Sequence, residues 1–157
     1  MKAAEQIVDF NLHDIVGIRF INPRWETAVA YTNQFAPALS PLKREPDIIV
    51  RFQDELAPPA LRYAGLNFAG FTRDAFYLLD KTQGSITAQI PFEKIGQCPE
   101  IVCPANTGSI PLLRDIINFT CLSKGYIPLH ASAFLYDSVG IVVMGWPKGG
   151  KTGAMLA

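Results

Sequence analysis

Apolar and polar residues alternate in several short runs of the first hundred positions, and a period of two is what a half-buried strand requires. Gln6 to Leu12 and Ile15 to Ile21 predict two strands on either side of His13 and Asp14, a surface turn; Val16, Ile18 and Phe20 share one face and Arg19 the other. Asp47 to Asp54 predicts a third strand, β-branched between two acidic ends and broken off by Pro58 and Pro59. Ala75 to Asp80 and Ser85 to Phe92 predict a β-hairpin around Lys81 to Gly84, and Glu100 to Pro104 predicts one more strand. Pro23 to Phe35 is open between a short helix started by Pro23 and a strand within "TAVAYT". Pro37, Pro41 and Pro46 make the next stretch irregular surface chain.

The period changes after Gly108. Leu112, Leu113, Ile116, Ile117, Phe119 and Leu122 follow helical spacing and predict a helix within Ile110 to Tyr126. Ser109 is the candidate N-cap, Pro111 fits the first turn, and Lys124 with Gly125 closes the end. "HASAFLY" and "VGIVVMG", joined by Asp137 and Ser138, predict two further strands. The second is so continuously apolar that burial on both faces is expected. The pattern therefore predicts an α/β chain, α+β overall: a β-rich region over 1–105, then a second region over 106–157, with the boundary near Ala105 to Gly108.

Composition narrows the class. The 157 residues are 49% hydrophobic and 18% charged, enough apolar material for a core of one-domain size. Fourteen basic residues balance fourteen acidic ones, and the densest basic patch, Leu42 to Glu45, has the look of a solvated turn. A nucleic-acid partner, which needs a basic excess, is not expected. Cys98, Cys103 and Cys121 lack the paired spacing and nearby histidines of a zinc site, so buried reduced thiols are expected. The opening "KAAEQ" is no signal peptide, and no apolar run reaches the ~18 residues of a membrane helix; a soluble, cytoplasmic protein without a membrane partner is expected. Phe68, Phe71, Phe76 and Tyr77 are expected in the core.

The chemistry lies at the far end. "GWPKGGKT", Gly145 to Thr152, has the spacing of a phosphate-binding loop, Gly, four variable residues, Gly, Lys, Thr. Gly145, Gly149 and Gly150 allow backbone to approach phosphate closely, and successive N–H groups from Lys148 onward can form an anion nest. Lys148 adds charge, Lys151 can reach terminal phosphates, and the Thr152 hydroxyl suits Mg²⁺. Pro147 has no N–H but precedes the expected donors. ATP with Mg²⁺ is the expected cofactor pair.

From His130 to Ala157 the sequence resembles the catalytic domain of the HPr kinase/phosphorylase family, whose fold is similar to the phosphoenolpyruvate carboxykinase nucleotide domain. The resemblance rests on "PLHASA", the short hairpin, the apolar strand and the loop. It implies ATP-dependent phosphoryl transfer to a hydroxyl of a protein, such as a phosphocarrier, or of a small molecule. It places His130 and Lys151 among the catalytic groups; by its residues alone, His130 is read somewhat more readily as a core histidine at a strand end. Gly153 departs from the family, where a stronger helix former is common. The family's acidic pair, which supplies the general base and helps hold metal, would lie beyond Ala157. The chain is thus expected to be the N-terminal part of a longer protein, inactive alone, with a short complete protein as the alternative. A different class also stays open: a non-catalytic nucleotide-binding or partner-docking module. Oligomeric state is not legible.

Overall fold

The computed structural model describes residues 5–35, 38–57, 59–65, 68–145 and 153. It is a mixed α/β structure of two compact units, Met1–Tyr126 and Ile127–Ala157. The division falls after Tyr126 and not near 105–108, because the helix grouped by sequence with the second region belongs to the core of the first.

In the first unit eight strands form one sheet: β1 (Ile7–Leu12), β2 (Val16–Ile21), β3 (Ile48–Gln53), β4 (Arg62–Ala64), β5 (Ala69–Phe71), β6 (Ala75–Leu79), β7 (Ile86–Pro91) and β8 (Glu100–Pro104). Their spatial order is β1-β2-β3-β8-β7-β6-β5-β4. β2 and β3 are parallel, connected through helix α1 (Trp25–Gln34); β3 and β8 are also parallel, and the remaining pairs are antiparallel. The β4–β7 meander is thus inserted between the neighbours β3 and β8. α1 resolves the ambiguity of Pro23 to Phe35 in favour of helix. β4 and β5, three residues each, have no counterpart in the sequence pattern.

Alternation sets the two faces. Ile18, Phe20, Ile48, Val50, Ile101 and Cys103 are buried in one core. Tyr31 of α1 joins them, with Leu113 and Ile116 of helix α2 (Leu113–Ser123). The intervening positions form a polar ladder: Arg19 pairs with Asp9 at 2.8 Å, and Arg51 with Glu100 at 2.6 Å and Glu5 at 3.1 Å. A second, smaller buried cluster joins Ala75, Tyr77 and Ile86, with Leu56 and Leu61 packed against it. Of the expected aromatic core set only Tyr77 is buried; Phe71 and Phe76 are half-buried and Phe68 is exposed.

α2 starts later than its cap signal. Its N-cap is Leu112, in a left-handed conformation (φ 56°), and not Ser109. The preceding loop is fastened to α1 instead: the Ile110 N–H donates to the Tyr31 hydroxyl at 2.7 Å, and the Thr27 hydroxyl donates to the Thr107 carbonyl at 3.0 Å. At the other end Gly125 (φ 81°) follows Lys124 as expected; Gly125 N–H donates to Leu122 O and Tyr126 N–H to Cys121 O, a Schellman closure. Tyr31→Phe strands the buried Ile110 N–H, which costs about 1–2 kcal/mol. Urea unfolding should show a lower midpoint at unchanged slope; an unchanged midpoint would mean that water replaces the hydroxyl.

Cys103 is buried, and burial pushes its thiol up to about 12. Cys98 is exposed, contrary to expectation, because the turn before β8 places it at φ 63° outside the core. His13 and Asp14 form the β1–β2 turn, both at positive φ. No helix among the described residues is long and apolar enough to cross a membrane.

The second unit, as described, contains a two-stranded antiparallel sheet of β9 (Ala131–Tyr136) and β10 (Val139–Met144).

Candidate functional site

The β9–β10 hairpin closes through Asp137 (φ 46°) and Ser138 (φ 66°), two positive-φ residues as a type I′ turn requires. The register runs from Tyr136 opposite Val139 at this closed end to Ala131 opposite Met144 at the open end. One residue beyond the last pair lie His130 on one strand and Gly145 on the other. Paired strands lie about 4.8 Å apart, so the backbone of His130 is brought to the point where the glycine-rich motif begins.

His130 is exposed, which argues against a core histidine. β10 is not buried on both faces: among the described residues it pairs with β9 alone, and Val142 and Met144 are exposed. An apolar run supplies the surface that burial needs but cannot supply the third strand. Of the nucleotide-binding candidates, Gly145 lies within the described residues, at the end of β10. Lys148, Gly149, Gly150, Lys151 and Thr152 lie outside them, as do Trp146 and Pro147. Gly153, immediately after the motif, is helical. Strand, motif and helical residue therefore follow in the order a phosphate loop demands.

Asp137 is the single carboxylate in 127–157 and sits at the closed end of the hairpin. Six residues of β10 separate it from Gly145, about 20 Å at strand rise. Among the described residues no cluster of three His, Cys, Asp or Glu side chains could hold a metal ion.

The first unit has cavities that no motif announced. One of about 440 Å³ lies between α1 and α2, against Tyr31, Phe35 and Leu113. A polar cleft of about 720 Å³ lies beyond the carboxyl ends of β3 and β8, where Asp54, Asp80, Asn106 and Ser109 line it. Asp80 is held below the usual carboxylate range by hydrogen bonds from the Thr82 hydroxyl and the backbone of Gln83 and Thr82, so it is occupied in shaping the β6–β7 turn. Their signal in the sequence was faint, since the lining residues come from segments far apart in the chain. Compared with protein-family models, curated proteins and solved structures, the chain has no match.

Proposed function

We propose that the chain binds ATP with Mg²⁺ through the loop Gly145 to Thr152, in the manner of HPr-kinase-like proteins. The observation that carries this reading is the order of strand β10, the motif, and a helical Gly153. In this reading Lys151 brings a point charge to the terminal phosphates and Thr152 offers a hydroxyl to Mg²⁺. Lys148 adds to the positive field. In this reading His130, which is exposed and one residue beyond the last pair of the hairpin register, is the candidate to meet a phosphate or its acceptor.

Phosphoryl transfer needs more than binding. A base must orient the acceptor hydroxyl and hard oxygen ligands must hold the metal. The second reading is a module that binds nucleotide without transferring phosphate.

Calorimetric titration with Mg-ATP separates the outcomes. Binding no tighter than the micromolar range, at most about 8 kcal/mol, is expected. Lys151→Ala should weaken it at least tenfold while leaving the unfolding midpoint unchanged. Equal affinity in variant and parent would remove the loop from consideration. Binding without ATP turnover, in the presence of candidate hydroxyl acceptors, would select the second reading.

A further inference from the structure

Two cavities of the first unit share a wall, and their chemistries are complementary. The first is a groove of about 240 Å³ between the sheet and α2, lined by Phe76, Ile90, Phe92, Leu112, Ile116 and Phe119. Its one charged neighbour is Asp115, on the α2 side. Phe92, Leu112 and Phe119 are exposed although they are large and apolar. The second is a cleft of about 630 Å³ lined by Arg62, Phe71, Thr72, Arg73 and again Phe92. The Phe92 ring, 5.8 Å from that of Phe76, stands between them.

The strand register explains the arrangement. Arg62 pairs with Phe71, Phe71 with Phe76, and Phe76 with Ile90, so these four side chains form one row across β4, β5, β6 and β7. Two strand spacings, about 10 Å, separate Arg62 from Phe76. The row passes from an apolar end beneath α2 to a cationic end at the sheet edge.

Both arginines are exposed, and among the described residues neither makes an ion pair, a state they share with Arg24 and Arg114. Two guanidinium groups lining one cleft are suited to a carboxylate or phosphate, which they can grip in a planar fork. Leu112 gives a further indication. It is a branched side chain in left-handed conformation, a backbone cost that is found preferentially at ligand sites, and it lines the apolar groove.

We propose that this row binds a small amphipathic anion, its apolar body in the groove against Phe92 and Phe119 and its carboxylate or phosphate head between Arg62 and Arg73. Asp115 fixes the direction, because an anionic head at the α2 end would meet a like charge. The balanced net charge of the chain fits a small anion better than a polyanion, whose binding scales with the number of neutralised phosphates.

The test is titration of the whole chain, followed by amide chemical shifts, with octanoate, with octanol and with inorganic phosphate. Octanoate should bind more tightly than either of the others and should move the amides of Arg73, Phe92 and Phe119. Arg62→Ala together with Arg73→Ala should weaken octanoate at least tenfold and leave octanol unchanged. Phe119→Ser should weaken both. Both arginine side chains are exposed, and an unchanged unfolding midpoint will show that the double variant is folded. Equal binding of octanoate and octanol, full octanoate affinity in the double variant, or shifts confined to other residues would overturn the proposal. Recruitment to phosphatidylglycerol vesicles without binding of monomeric octanoate would overturn it too, since the surface would then be reading a lipid bilayer. Lys151→Ala should leave octanoate binding untouched, so this site and the nucleotide loop fail or stand separately.

Discussion

Phe20→Ala should destabilise the first unit by about 3–5 kcal/mol, the range for removing a fully buried aromatic ring. Phe20 is wholly inaccessible on β2, and its ring meets three others edge-on: Phe10 at 5.1 Å, Tyr31 at 5.2 Å and Phe52 at 5.6 Å. Those rings come from β1, α1 and β3, so the cavity would open where the hairpin, the crossover helix and the first parallel strand meet. None of the three can move inward without leaving its own strand or helix position, and the lost volume would stay largely unfilled. Edge-to-face pairs add about 0.5–1.5 kcal/mol each beyond area burial. Against a total stability of about 5–15 kcal/mol the loss would be about a fifth or more. Guanidinium unfolding of variant and parent measures it. A loss below about 1.5 kcal/mol would show that the surrounding rings collapse into the space and that the aromatic cluster is less rigid than its geometry indicates.

Removal of the Asp47 carboxylate should have the largest effect among the polar groups, and it should be pH-dependent. One oxygen accepts from the Gly17 N–H at 2.7 Å and from Arg44 at 2.6 Å; the other meets Lys124 at 2.6 Å. Arg44 and Lys124 both also donate to the Ile15 carbonyl. The carboxylate thus ties the start of β3 to β2, to the 38–47 segment and to the end of α2. Burial works to raise its pKa, but the hydrogen bonds from Gly17, Lys124 and Arg44 outweigh it and hold the group below the usual carboxylate range. A lowered folded pKa means stabilisation that is complete above the ordinary value, near 4, and is lost as pH falls through the folded value. Asp9, likewise opposed by burial and held low by Arg19 and the Leu42 N–H, adds to the same acid loss. Asp47→Ala should cost about 2 kcal/mol at pH 7, discounted from fully buried charge pairs because Arg44 and Lys124 are partly solvated. The difference between variant and parent should shrink as pH falls below about 4. Parallel stability curves at all pH values would mean that the ion pairs contribute nothing and that only the loop geometry around Gly17 matters.

Much of the secondary structure was legible, and the candidate loop was legible as a motif. β1, β2, β3, β8 and the β6–β7 hairpin follow from alternation and turn residues, which act between near neighbours. The same local rules give the β9–β10 hairpin and the Schellman end of α2, where Gly125 alone meets the backbone demand cheaply. They could not give β4 and β5, because three residues are too few to display a period. Nor could they place β3 beside β8. That pairing brings Ile49 opposite Glu100 across the whole inserted meander, and its reward comes from a shared core that no local window contains.

What the sequence by itself determined is therefore the alternating strands, the amphipathic α2 and the order of residues in the phosphate motif, all set by chemistry within a few positions. The tertiary structure alone decided that α2 belongs with the first unit, since Leu113 and Ile116 join the buried cluster built by residues of β1, β2, β3, β7 and β8. It decided that Ser109 loses the cap role, because Tyr31 and Thr27 hold that loop from another helix. It also decided that Arg62 and Phe76 stand in one row, two strands apart, because β-pairing and not sequence proximity chooses which side chains share a face.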